Sequence, residues 1–234
     1  MKQTNIRSEV VRGRTELRVY PQEKLLTFVH PSQGPHDYRT VGKGILSRNL
    51  TIPSGEQTAY LVQGAYGSEE PEFREIQETM QSRFLWVFNR NLWTTKGVYV
   101  VHDNLAVGLT QELKSSELEE KLDKGSEQEG VRLSKDGNIR FASRSTYRLG
   151  EHTPESLAKD GFVIASYGVS GAEALGEVAS RFRNKPFVYG LEIREEQNSV
   201  QRVSALDSNW SDVHWLGVVG DLRGNDRGGG AFGV

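Results

Sequence analysis

The groups that could carry chemistry in this 234-residue chain are few and scattered. Its five histidines, His30, His36, His102, His152 and His214, include no pair at the helical spacing of metal ligands. Cysteine is absent, which removes disulfides, thiolate-ligated zinc and thiol catalysis together. His102-Asp103 closes an apolar run and has the residue types of an acid–base pair, but nothing else supports one and a turn at a strand end is the better explanation. Gly168-Val169-Ser170-Gly171 resembles a nucleophile elbow until Ala172, where that motif needs glycine; Ser170 has a sufficient task as a helix cap. Gly42-Lys43-Gly44 lacks the rest of a phosphate loop, and no dinucleotide or EF-hand pattern is present. The glutamates at 69–78 and 117–120 read as solvated helix faces. Asn49-Leu50-Thr51 and Asn209-Trp210-Ser211 match a glycosylation sequon, which carries no weight without a secretion signal. No catalytic residue, metal ligand or cofactor is therefore expected.

The last thirty-three residues are different in kind. Lys, Glu, Gln and Met total 45, and all of them lie at or before Gln201. A gap of that length has a chance of roughly 2 in 10,000 at the earlier frequency, less a discount for choosing the set afterwards. From Arg202 to Val234 the chain uses Asp, Asn, Ser, His, Arg and Gly among Trp, Val and Leu, and four of nine aspartates fall there. A Gly-rich terminal loop accounts for Gly228-Gly229-Gly230, but less well for Asn209 to Val219 with its two Trp and three Val. Codons give a sharper account. An asparagine codon with a third-position pyrimidine, randomised only at its adenines, reaches Asn, Asp, Ser, Gly, His, Arg, Tyr and Val. It never reaches Lys, Glu, Gln, Met or Trp, so Trp210 and Trp215 would be fixed.

The elements that must hold this segment are short. Strand character is expected at Glu16–Tyr20, Leu25–His30 and Thr58–Val62, with Pro31 to Pro35 a turn cluster. A helix over 70–88 is predicted from Phe73, Ile76, Met80, Phe84 and Val87 at three- and four-residue steps. Leu85 to Trp93 reads as a core element with buried hydrogen bonds, followed by a strand at Val98–Val101. Ser116-x-x-Glu119 predicts a capped helix, Lys124 to Gly130 a surface loop, and Thr153-Pro154 a short helix that Gly161 closes. Strands at Phe162–Ser166, Phe187–Ile193 and Val200–Leu206 surround a helix over 171–183. Without a βαβ rhythm the class is α+β, with a small antiparallel sheet that Val218–Leu222 and Ala231–Val234 rejoin.

Composition narrows the function classes further. Hydrophobic content of 36% is globular, and a formal charge of −2 gives no general attraction to nucleic acid or anionic membrane. No apolar run approaches a bilayer span, and the first residues lack the apolar core of a signal peptide.

Arg202-Val203-Ser204-Ala205-Leu206, the Trp- and Gly-containing stretch after it, and Ala231-Phe232-Gly233-Val234 resemble the variable protein of a diversity-generating retroelement. In that family a reverse transcriptase rewrites adenines in a C-terminal repeat encoding part of a C-type lectin-like domain, on the branch related to formylglycine-generating enzymes. The run Leu85 to Asp103 is similar to family framework. The related enzymes use cysteines, which this chain lacks, and Asn209-Trp210-Ser211-Asp212 does not supply the calcium-lectin trio in order. The resemblance implies one C-type lectin-like domain over 1–234 whose segment 202–234 binds a protein or cell-surface ligand. Its contact set would be Asp207, Ser208, Asn209, Ser211, Asp212, His214, Asp221, Arg223, Asn225, Asp226 and Arg227. Trp210, Trp215, Gly220, Phe232 and Gly233 would be framework. Two alternatives stay open: a hydrolase or transferase using His102, Asp103 and a serine, and an assembly protein docking through its Gly-rich C-terminus.

Overall fold

The computed structural model describes residues 7–10, 16–21, 24–195, 199–208 and 214–234, with the backbone alone for 7–10. It opens on a meander of β1 (Arg7–Val10), β2 (Glu16–Tyr20) and β3 (Leu26–His36). Helices α1 (Tyr38–Ser47), α2 (Gly55–Gly67) and α3 (Pro71–Ser82) lead to the hairpin β4 (Phe84–Thr94) and β5 (Gly97–His102). Then come α4 (Ser115–Leu122), β6 (Ser126–Gln128), β7 (Val131–Leu133), β8 (Ile139–Ser143) and β9 (Gly150–Glu151). Helices α5 (Pro154–Leu157) and α6 (Gly161–Ala179) precede β10 (Phe187–Tyr189), β11 (Val200–Asp207), β12 (Gly217–Leu222) and β13 (Gly229–Gly233).

The class is α+β, but the sheet is not small. Its 13 strands run β1-β2-β3-β13-β4-β11-β12-β10-β9, with β5, β8, β7 and β6 branching from β4. The size follows from β4, whose 11 residues serve three neighbours. One edge pairs β13 at Phe84–Leu85 and then β5 from Asn89 to Thr94, while β11 runs antiparallel along the other. The sheet is also not wholly antiparallel, because β13 runs parallel to β4 and β10 parallel to β12.

Alternation along the central strands separates two cores. Leu85, Val87, Leu206, Val218 and Phe232 point into the larger core with α2, α3, α5 and α6. Phe84, Trp86, Phe88, Val203, Ala205, Val219 and Ala231 face the other way, where α1 contributes Tyr38, Val41 and Ile45. Several buried polar groups in β4 make hydrogen bonds to other elements. Asn91 Nδ2 donates to Ser204 Oγ at 2.8 Å and to the Gly220 carbonyl at 2.9 Å, and Trp93 Nε1 reaches that same carbonyl at 2.9 Å. Trp86 Nε1 donates to the His36 carbonyl at 3.0 Å, tying β4 to the end of β3.

Several elements differ from the sequence expectations for identifiable reasons. Thr58–Val62 lies in α2, whose start is a capping box of Ser54 and Gln57. Phe162–Ser166 opens α6, capped by Asp160; a continuous apolar run fits a buried helix as well as a strand. Gly161 thus begins a helix instead of closing one, and Gly168, at φ 74°, kinks α6 two residues before Ser170. The helical spacing of Phe84 and Val87 is accidental, since α3 ends at Ser82 and both belong to β4. Pro31 to Pro35 continues β3 instead of turning. Its ladder to β13 touches Val29, Gln33 and His36 with register shifts between, so neither proline must supply a ladder hydrogen bond. Helix α4 starts at Ser115 behind Lys114 with no side-chain cap, and part of the expected 124–130 loop is the exposed strand β6.

Candidate ligand-binding surface

The 202–234 segment divides sharply between core and surface. Val203, Ala205, Leu206, Val218, Ala231 and Phe232 are buried in the sheet, as are Gly220 and Gly233. Glycine is required at Gly229, because a Cβ there would lie 2.2 Å from Trp86 Nε1 inside the aromatic cluster of Phe84, Trp86 and Tyr38. Gly229 is therefore packed against a ring, and both Gly229 and Gly230 belong to β13.

Outside that frame, Arg223, Asn225, Asp226 and Arg227 are exposed on the turn between β12 and β13. The Gly224 carbonyl accepts from Tyr38 N at 3.2 Å, pinning this turn to the start of α1. His214 is exposed, and its carbonyl accepts from Asn184 Nδ2 at 3.2 Å. Trp215 is half-buried. Asn209, Trp210, Ser211 and Asp212 lie outside the described residues. Ser208 is fully buried, its N–H donating to the Met80 carbonyl at 2.9 Å, so it belongs with the frame and not with the contact surface.

Asp207 is only 4% exposed, yet it lines a hollow. Register explains its direction. Asp207 pairs Gly217, where a Cβ would sit 1.8 Å from Asp207 Oδ1, so the missing side chain makes room for the carboxylate. Val219 follows Gly217 at a two-residue step and shares its face; beyond it a register shift sets Val219–Leu222 against only Ala205–Val203, and Asp221 and Leu222 both line the hollow. Tyr189 pairs Val219 from β10. Together with Phe84 and Leu222 these residues enclose about 220 Å³, and four of the six lining positions come from 202–234.

The electrostatics of the hollow follow from burying carboxylates beside aromatic walls. Burial raises the Asp221 carboxyl above its ordinary 3.8, opposed by its own backbone hydrogen bond and by the Arg202 charge. Burial also raises the Tyr189 hydroxyl, followed by the charges of Asp207 and then Asp221. Asp207 acts on the buried Tyr167 as well, whose hydroxyl burial has already pushed far up. Phe84 and Tyr189 were not foreseen as lining residues. Phe84 was hidden by its helical spacing, whereas strand alternation through Phe187 and Tyr189 was a usable signal.

The catalytic alternative fares differently in its parts. His102 Nδ1 lies 3.2 Å from the Phe88 carbonyl, and burial lowers the pKa of the imidazole. The Asp103 carboxylate accepts from the N–H groups of Val107 (3.0 Å) and Gly108 (2.7 Å), closing the turn after β5. Ser166 shares a 200 Å³ hollow with His102, but its buried hydroxyl has no hydrogen-bond partner among the described residues. Ser166 and His102 are thus not hydrogen-bonded to each other. The described residues hold no cluster of three or more His, Asp or Glu able to take a metal ion, and no helix among them is long and apolar enough to cross a membrane.

No family model matches the chain, and no curated protein matches it. At 10% identity, with a TM-score of 0.47 over 86% of this chain and 94% of the other, it is similar to a solved structure described as "Accommodation of massive sequence variation in Nanoarchaeota by the C-type lectin fold".

Proposed function

We propose that the chain is a non-catalytic ligand-binding protein of C-type lectin-like fold, in the manner of retroelement variable proteins. Its 202–234 segment presents a changeable surface to a protein or cell-surface ligand. The partition within that segment carries the reading. Val203, Ala205, Leu206, Val218, Gly220, Ala231, Phe232 and Gly233 are built into the sheet, while Arg223, Asn225, Asp226, Arg227 and His214 are exposed. Exposed positions of this kind tolerate exchange at about half a kcal/mol each, so a stable frame can carry many sequences. Short polar side chains with a few aromatics also match the composition of antibody paratopes.

Two measurements test this. Exchanging His214, Arg223, Asn225, Asp226 and Arg227 together is expected to leave the thermal melt nearly unchanged, whereas Phe232→Ala should cost roughly 3–5 kcal/mol. Unfolding by the polar exchange as severe as that of Phe232→Ala would place the segment in the core and end the proposal. Gene sequences from closely related isolates should differ mainly at adenines of a final repeat that has a near-copy beside a reverse transcriptase. Even differences along the gene would remove the diversification mechanism.

A further inference from the structure

We propose that α1 and the loop after β5 form a constant part of the recognition surface, a cationic platform with one apolar knob that takes an acidic segment of a partner protein. This rests on the recognition-surface reading and names the chemistry of what that surface takes. Helix α1 turns Tyr38, Val41, Gly42 and Ile45 inward and leaves Arg39 and Lys43, one turn apart, exposed. The bond from Tyr38 N to the Gly224 carbonyl joins the start of this helix to the turn that carries Arg223 and Arg227. The 104–110 loop packs on the same helix. A Cβ at Gly42 would lie 2.1 Å from the Ala106 Cβ, and one at Gly108 would lie 3.3 Å from Arg39 Cγ, so the three segments meet at Arg39. Ala106 sits at φ 50°, a left-handed conformation that alanine avoids, and the loop is held by the Asp103 carboxylate through Val107 N and Gly108 N. Leu105, on this fixed loop, is 66% exposed, one of two large apolar side chains so exposed among the described residues.

Charge complementarity selects the occupant. Helix α1, the 104–110 loop and the 223–227 turn carry four exposed cations against one exposed carboxylate, Asp226, although the whole chain has a formal charge of −2. Among the described residues none of Arg39, Lys43, Arg223 and Arg227 has an ion-pair partner. Asp37, beside them in the chain, is taken up as the cap of α1, accepting from Thr40 N at 3.0 Å and Thr40 Oγ1 at 2.8 Å. An acidic segment therefore gains charge pairs here without breaking an internal one. Leu105 adds an apolar contact that a phosphate backbone does not return. A lone leucine and a carboxylate in the same patch, on a chain of net negative charge, also disfavour an anionic bilayer. Exposed charge pairs add little affinity each, but they steer encounter and reject basic partners. Arg39, Lys43 and Leu105 lie outside 202–234, so this attraction persists whatever the changeable segment becomes, and that segment chooses among acidic partners.

The test is an NMR titration of the full chain with the peptide acetyl-Glu-Glu-Leu-Leu-Glu-Glu-amide and with its neutral isostere, in which glutamine replaces each glutamate. The acidic peptide should bind at least roughly tenfold more tightly, shifting the amides of Arg39 and Lys43 and the methyls of Leu105. Its affinity should fall at least about threefold between about 0.02 M and about 0.2 M salt. The joint variant Arg39→Gln, Lys43→Gln should cut the preference over the neutral peptide at least roughly threefold, and Leu105→Ser should weaken both peptides roughly threefold, each with an unchanged melt. Should a variant fail to fold, the shifts of the unaltered protein locate the site without it. Equal binding of the two peptides, shifts that leave α1 and the 104–110 loop untouched, or folded variants that bind like the parent would each overturn the assignment. Tighter binding of phosphatidylserine vesicles or of a DNA duplex at equal charge concentration would overturn it too, as would a self-association that the joint variant abolishes. A protein that tolerates the polar exchange described above but fails here keeps the recognition surface and loses its constant cationic part. One that unfolds on the polar exchange loses the underlying reading, whatever the peptides do.

Discussion

Asp221 is held in surroundings that resist its ionisation, burial being the first cause. Its folded pKa lies above the ordinary 3.8, so the native state holds the proton more tightly than the unfolded chain. Stability therefore falls as pH rises from about 3.8 through the folded pKa, and the loss is complete above it. Asp221→Asn should consequently raise the melting temperature at pH 7, with the difference vanishing below pH 4 in melts taken across the range. A variant less stable than the parent at pH 7 would show that the carboxylate is a structural acceptor instead. Composition alone exposed the polar set around this residue, and Arg223, Asn225, Asp226 and Arg227 do reach the surface. Composition could not separate Asp207 and Ser208 from them, because strand register and packing under β4 decide their burial.

Helix α6 shows why some elements were legible and others were not. Its second half was readable from Ala174, Leu175, Val178 and Ala179, all buried at helical spacing. Its first half is apolar on every side and gives no period, so only the Asp160 cap marks its start. That carboxylate accepts from the N–H groups of Phe162 (3.0 Å), Val163 (3.2 Å) and Arg148 (2.8 Å), with His152 Nε2 at 3.8 Å. Asp160→Ala would leave these donors buried and unmatched and should cost about 2–4 kcal/mol in urea unfolding, with Asp160→Asn much milder. Equal, small losses for both would show that water replaces the cap. Helix α2 carried the same kind of signal in Ser54-x-x-Gln57, which outweighs the strand preference of a short β-branched and aromatic run.

The whole molecule stands on its two main cores without disulfides, and no metal cluster occurs among the described residues. Added EDTA should leave the melting temperature unchanged within a few degrees; a larger drop, equivalent to about 1 kcal/mol or more, would reveal a structural ion. The α+β class was legible because helical and strand periods alternate irregularly along the chain. The size of the sheet was not, since nothing local tells β4 that it has three partners. The position of β13 has a consequence for synthesis. It lies between β3 and β4, which are complete long before residue 229 leaves the ribosome. Until then both strands present open edges, and the sheet cannot be closed by any earlier segment. A stop within 202–228 should thus leave the facing edges of β3 and β4 unpaired. Truncation after Leu222 should give a protease-sensitive product under conditions where the full chain resists digestion. The closing of the sheet between β3 and β4 thus waits on a strand that follows every other described element in the chain.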